Sequence, residues 1–365
     1  MGWRESAVEE VVTPEFWAGK RVFVTGHTGF KGCWLALWLD SLGARVSGYA
    51  LDPASAPSLW ALVEGKSGIA STIADIRDLG ALSQAMRAFN PEIVFHLAAQ
   101  SLVRPSYEDP VGTYASNVMG TVHLLEAVRR ERGVRAVVNV TSDKCYQNLE
   151  TGQEYREEDP MGGRDPYSSS KGCAELVTTA YRESFFGGAD APGLASARAG
   201  NVIGGGDWAA DRIVPDMVRA TGASKPVLVR NPKAIRPWQH VLEPVCGYLQ
   251  LAERLCTAPR EFSEGWNFGS NKEDAVPVEV IVSTVARLWG PPAGWTVDPG
   301  SHPHEAHFLN LDSTKARARL GWRPRLRLRT ALEWTVDWYK KQAGGADARE
   351  VTLAQIGRYM TLSPA

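Results

Sequence analysis

The sequence offers no cysteine pairing. Its five cysteines, Cys33, Cys145, Cys173, Cys246 and Cys256, are scattered, odd in number and form no C-x-x-C pair. That argues against a disulfide framework or a cysteine-rich zinc site. No run approaches the roughly 20 apolar residues of a membrane span. A surplus of one charge is missing too, since 40 Lys and Arg stand against 41 Asp and Glu, for a net charge of −1. A broad basic footprint for nucleic acid is thereby excluded, and any anionic ligand has to be held by a local patch. The segment up to Thr13 carries Glu5, Glu9 and Glu10 and lacks the basic-then-apolar order of a signal peptide. A cytoplasmic protein without membrane or nucleic-acid partners is expected.

What the chain does have is enough apolar residue to bury a large core. It runs to 365 residues, 44% of them hydrophobic, which suits one large domain or two coupled ones. The first half alternates β-type runs with helical patterns. Strands are predicted at 21–25, 45–51, 72–74, 93–97, 136–141 and 195–199, and helices at 34–42, 79–89, 112–132 and 166–186. This alternation predicts an α/β fold: a Rossmann-type, doubly wound parallel sheet. Past Gly200 the texture turns rich in Gly, Pro and Arg, which predicts a smaller mixed α/β region for substrate. The expected division is a dinucleotide-binding domain over 1–200, with 240–256 packing back on it, a ligand region mainly over 201–345, and a tail over 346–365. Residues 1–14 and the tail after about 344 are expected to be exposed.

The sharpest local signal is Thr25-Gly26-His27-Thr28-Gly29-Phe30-Lys31-Gly32, which directly follows the first strand and opens a helix. Glycines there allow a tight turn, backbone approach to a pyrophosphate and close helix–strand packing, with the helix N-terminus facing the phosphates. The bland alternative is a structural turn. Asp52 closes the second strand, where an acid would meet ribose hydroxyls and favour NAD over NADP; it is equally readable as a turn residue before Pro53. Asp75 and Ile76 follow the third strand, where they could meet adenine. Leu97, Ala98, Ala99 and Gln100 follow the fourth, their small members letting the backbone approach a cofactor.

A second constellation is Tyr167-Ser168-Ser169-Ser170-Lys171. Its Tyr and Lys, at i and i+4, share a helix face. An ammonium beside a phenol favours phenolate, and such a tyrosine can act as a base toward a hydroxyl. It follows a strand ending Thr141-Ser142-Asp143-Lys144.

Together these runs resemble the extended short-chain dehydrogenase/reductases that act on nucleotide sugars. The resemblance covers residues 16–342 and includes HLAAQ at 96–100, Tyr114, Asn117, Gly120, Thr121, Arg198 to Val202 and Arg236 to Val241. TSDK-x-Y-x-N, together with TGHTGFKG, narrows it to the CDP-glucose 4,6-dehydratases. Relatives of the dTDP-glucose type carry Asp-Glu where this chain has Asp143-Lys144.

The resemblance implies NAD as cofactor, no metal, and CDP-glucose or a related nucleotide sugar as substrate, feeding 6-deoxy or 3,6-dideoxy sugar synthesis. The implied cycle is C4 oxidation, elimination of water across C5 and C6, and hydride return to C6. Tyr167 would be the base toward the 4-hydroxyl, and Lys171 would lower its pKa and hold the nicotinamide ribose. Thr141 would hydrogen-bond O4, and Asp143 would be the acid for the C6 hydroxyl. Lys144 is either the C5 base or a tuner of Asp143. Asn117 joins the residues named above as a cofactor contact.

Ser101, Ser142, Asn201, Arg212, Arg230, Arg236 and His240 are the substrate candidates. The three arginines belong to a stretch, 211–240, with six cations against Asp211 and Asp216. His302, His304 and His307 invite a metal reading, but the segment suits a substrate-lid loop better. The paired long helices resemble a homodimer interface, or one within a dimer of dimers. A 4-epimerase, a dehydratase for another nucleotide or hexose, and a non-catalytic NAD-sensing protein are the alternatives.

Overall fold

Seven parallel strands form the central sheet. They are β1 (Arg21–Thr25), β2 (Arg45–Ala50), β3 (Ala70–Ile73), β4 (Ile93–His96), β5 (Ala136–Val140), β6 (Gly193–Ala199) and, returning from much later in the chain, Gly265–Phe268. The computed structural model describes residues 11–150, 152–292, 294–300 and 309–365; His302, His304 and His307 lie outside them. The strand order is β3-β2-β1-β4-β5-β6 followed by the late strand. The order reverses between β1 and β4, which is where doubly wound sheets open a crevice at the strand C-termini. Strands β4 and β5 are buried along their whole length, because helices cover both faces. That is why they read as unbroken apolar runs rather than alternating ones.

The principal covering helices are α1 (Phe30–Ser41), α2 (Leu79–Phe89), α3 (Gly120–Arg129), α4 (Pro166–Phe185) and α5 (Leu242–Thr257). Helix α5 packs against β5 and β6, so the chain does come back to the first half of the fold. The predicted helix over 112–132 is broken. Pro110–Tyr114 is followed by a π-helical turn at Ala115–Met119 and only then by α3. Such turns cluster at functional sites because they re-aim side chains, and here the turn carries Asn117.

A three-stranded sheet joins Asn201–Ile203, Ile235–His240 and Ala275–Pro277 beside the mouth of the crevice. The ends of the chain depart from expectation. Val11, Val12 and Trp17 are buried, and the tail forms a helix, α6 (Ala348–Met360), packed on α1. The cause is α1 itself, whose residues Gly32 to Leu39 are all buried, so it needs cover on its outer side. Tyr359 supplies part of that cover, meeting Trp38 edge-on at 5.7 Å between centroids. Fully burying one large apolar side chain contributes about 1.5–3 kcal/mol, which explains why a helix of polar appearance holds to the body of the fold.

Candidate active site

The strand C-termini open into a cavity of about 1200 Å³. Pockets for a single small molecule usually measure roughly 300–1,000 Å³, so this one exceeds the usual size. At one end lies the Gly-rich turn. Gly26 has φ +79°, and a Cβ there would stand 2.7 Å from the Ala98 nitrogen. A Cβ on Gly32 would stand 2.1 Å from the Gly26 carbonyl oxygen. Both positions therefore require glycine for the turn to lie flat against β4.

Helix α1 then starts at Phe30 with no side-chain cap, and its first turn, Gly29 to Gly32, lines the cavity with Thr28. Uncapped N–H groups at a helix start form a ready anion site. Asp52, Asp75, Ile76 and Leu97 to Gln100 line the same end. These residues fit a dinucleotide: a flat glycine turn, an uncapped helix start for its pyrophosphate and acids at strand ends for its ribose. The Asp75 carboxylate is already engaged by Arg77 at 2.6 Å, which holds it below the ordinary carboxylate range against the pull of burial.

Asn117 stands behind the wall instead of in it. Its amide donates to the Gln100 carbonyl at 2.9 Å and to Ser170 at 2.8 Å, while its oxygen accepts from the Gln100 N–H at 2.8 Å. It fixes the loop after β4 and does not line the cavity.

At the centre, Tyr167 and Lys171 project from α4, whose start is capped by Asp165 accepting from the Ser168 N–H at 2.9 Å. Burial pushes Tyr167 up to about 12, opposed first by its hydrogen bond with Ser142. Burial also draws Lys171 down to about 8, against the field of Glu175. The depressed phenol expected beside Lys171 is thus not what the bare cavity provides. Desolvation dominates, and the first contact to oppose it is the hydrogen bond with Ser142.

The turn after β5, Asp143–Cys145, carries the other reactive groups. The Ser142 hydroxyl donates to Asp143 at 3.0 Å. Burial holds Asp143 above the carboxylate range, although Lys144, Ser142, Arg236 and Lys31 all oppose the rise. A buried carboxyl kept toward its neutral form is a proton donor. Gly200 leaves it space, since a Cβ there would lie 3.1 Å from Asp143 Oδ2. Thr141 corrects a sequence expectation. It lines the cavity, but its hydroxyl donates to Glu175 at 2.5 Å, so Ser142 is the hydroxyl in contact with Tyr167.

Lys31 reaches this centre from α1. Burial, then Arg212 and Lys171, draw it down to about 7, while Asp143 works the other way.

Ser101, Asn201, Arg212, Arg230 and Arg236 also line the cavity, and Arg212 and Arg236 bear on the centre itself. Arg212 is held by Asp207 at 2.9 Å and donates to Ser101 at 3.3 Å, and Arg230 donates to Asp211 at 3.2 Å. Of the six cations over 211–240, Arg219, Lys225 and Lys233 stay outside the lining. His240 is a correction as well. It is fully buried between Trp34 and Trp334, and burial lowers it to about 3, so it packs as a neutral ring and lines nothing. Among the described residues no group of His, Cys, Asp and Glu is arranged to hold a metal ion.

Known proteins share this arrangement. A family model described as GDP-mannose 4,6 dehydratase matches residues 23–335. The chain belongs to that family. It is 55% identical over 355 residues to the CDP-glucose 4,6-dehydratase of Salmonella typhimurium, covering 96% of this chain and 99% of the relative. Its fold resembles the epimerase Mth375 of Methanothermobacter thermautotrophicus (TM-score 0.79, 25% identity, 91% of this chain and 95% of that one). It also resembles the UDP-glucose 4-epimerase of Thermus thermophilus in complex with NAD (TM-score 0.75, 26% identity, 88% and 99% covered).

Glu175 escaped sequence reasoning. The signal was the spacing Tyr167-x3-Lys171-x3-Glu175, which carries a third polar residue along the face of α4 that bears Tyr167 and Lys171.

Proposed function

We propose that the protein is an NAD-dependent CDP-glucose 4,6-dehydratase, converting CDP-D-glucose to CDP-4-keto-6-deoxy-D-glucose with loss of water. The observation that carries this reading is the 55% identity to the Salmonella typhimurium enzyme along 96% of the chain. The cavity supports it by setting a buried acid, Asp143, beside a Tyr–Lys pair. NAD, when bound at the Gly-rich end, supplies the hydride chemistry. Residues 1–200, with 240–256, form its binding unit in this reading, and 201–345 mainly the sugar-nucleotide side.

Tyr167 takes the proton of the 4-hydroxyl, and Ser142 is assigned the hydrogen bond to O4, its single hydroxyl proton turning there from Asp143. The resulting 4-ketone acidifies the C5 hydrogen, and Asp143 protonates the departing C6 hydroxyl. Lys144 keeps the two roles the resemblance leaves open, acceptor of the C5 proton or tuner of Asp143, and its charge is the first to oppose burial of that acid. Lys171 holds the nicotinamide ribose. Arg212, Arg230, Arg236 and Asn201 meet the diphosphate and nucleoside, Arg being suited to bidentate phosphate contacts.

The five cysteines are free, which accords with a reducing, cytoplasmic setting. A second copy of the chain is assigned to the exposed row Tyr107, Val111, Tyr114, Met119 and Leu176 on the helices at and before α4. Light scattering tests that assignment: Leu176→Lys should turn a dimer into a monomer.

A panel of CDP-, dTDP-, GDP- and UDP-hexoses, followed by product mass, tests the reading. Water loss with CDP-glucose is the expected result. Water loss only with another nucleotide, an isomer of unchanged mass, or no turnover would point to another dehydratase, a 4-epimerase or a non-catalytic NAD-sensing protein respectively.

A further inference from the structure

Beneath the catalytic face lies a charge pair that the proposed steps do not use. Glu175 is 2% exposed and stands on α4 one turn beyond Lys171 and two beyond Tyr167. One of its carboxylate oxygens accepts from the Thr141 hydroxyl at 2.5 Å and from Arg198 Nε at 2.9 Å. The other accepts from Ser196 at 2.6 Å and from Arg198 Nη2 at 2.8 Å. Arg198, on β6, sends its remaining nitrogen to the Tyr146 hydroxyl at 2.6 Å. Gly265 makes space for it, because a Cβ there would lie 2.4 Å from Arg198 Nη2. Burying two charges is costly even when they are paired, so stability alone is a weak reason to keep them.

Two consequences reach the cavity. Thr141 lines it, yet its single hydroxyl proton is committed to Glu175, so it meets a ligand as an acceptor only. Glu175 is also a negative charge facing Lys171. The other titratable groups that bear on Lys171 are Tyr167 on the same helix, Cys145 from the turn after β5, Lys31 from α1 and His96 from β4. Burial tends to raise Glu175, but the Arg198 guanidinium and the hydrogen bonds from Arg198, Ser196 and Thr141 outweigh it and keep the carboxylate ionised.

We propose that Glu175 is a positioning residue which, anchored by Arg198, turns the Thr141 hydroxyl into an acceptor toward the sugar and sustains the positive charge of Lys171. This rests on the reading of Tyr167 and Lys171 as the pair that oxidises C4. Without Glu175, Lys171 loses its proton at lower pH and the alkaline limb of the reaction moves with it.

The test follows the Lys171 amine by NMR on full-length protein with isotope-labelled lysine, its signal assigned with Lys171→Arg. Glu175→Gln leaves Arg198 unpaired, so Glu175→Leu/Arg198→Met, which removes both charges, is measured beside it. In Glu175→Gln, where it retains the native circular dichroism, Lys171 should titrate clearly below wild type; in the double variant, which loses a cation with the anion, the fall should be in the same direction and smaller. The alkaline limb of dehydration should shift the same way, with kcat affected more than KM. Thr141→Val should leave the Lys171 titration where it is. A folded variant whose Lys171 titration and pH limb both stay put overturns the proposal. If wild type dehydrates no nucleotide sugar, the functional reading fails, and the Lys171 titration still decides the role of Glu175.

Discussion

The Ser142 hydroxyl donates to the Asp143 carboxyl over 3.0 Å. The same hydroxyl meets Tyr167. One side chain therefore links the proposed base at C4 to the proposed acid at C6, and the two halves of the reaction can be separated by substitution.

Asp143→Asn keeps the shape and removes the acid. C4 oxidation should persist while water loss falls by roughly two orders of magnitude or more. Product mass, read beside the absorbance of reduced cofactor, checks it. An unchanged dehydration rate would sink the role of Asp143.

Tyr167→Phe removes only the phenolic oxygen. The tyrosine is buried, but in the proposed mechanism its oxygen serves chemistry, and phenylalanine keeps the packed ring, so the fold should survive. C4 oxidation should slow by roughly 10²–10⁴-fold. Rapid-mixing measurement of cofactor reduction is the check.

Gly200→Ala addresses geometry without replacing a reactive side chain. Its Cβ would lie 3.1 Å from Asp143 Oδ2 and 3.2 Å from the Pro237 ring. The acid must give by a few tenths of an ångström. Misplacing a catalytic group degrades rate steeply, so dehydration should slow by roughly tenfold while the melting temperature changes little.

Glu243→Gln separates stability from catalysis. Burial pushes Glu243 up to about 7, against hydrogen bonds from Tyr359 and from the backbone of Arg325 and Leu326. An unfolded Glu titrates near 4.3. Between these values the folded state holds the extra proton, so this group's contribution is complete below the unfolded pKa and is lost as pH rises through 7. Glutamine can keep the accepted bonds without the charge. The variant should flatten the decline of melting temperature over that window and melt higher than wild type above it, by an amount equivalent to about 4 kcal/mol at most. Thermal melts across pH provide the comparison.

The features legible in sequence were those that short-range geometry determines. TGHTGFKG announces itself because Gly26 and Gly32 admit nothing larger, and the buried parallel strands read as continuous apolar runs. The lining residues at strand ends followed from topology: once β1 and β4 flank the switch point, Asp52, Leu97 and Asp143 must gather there. His240 and Asn117 were placed too close to the ligands because their surroundings come from distant segments. Trp34 and Trp334 enclose His240, and a π-helical turn aims Asn117 at the Gln100 backbone. Thr141 and Ser142 are adjacent on an extended strand end, and alternation alone does not say which faces Tyr167. The tail helix was missed because its few apolar residues matter only against the outer side of α1.

The central claim is a dehydration of CDP-glucose at this cavity. Purified protein incubated with CDP-glucose and NAD should yield a nucleotide sugar lighter by one water, bearing the alkali-induced absorbance of a 4-keto-6-deoxy sugar. The product should form at least about a hundredfold more slowly in Asp143→Asn. Unchanged CDP-glucose, or a product of unchanged mass, under conditions where another nucleotide sugar loses water, would contradict the account.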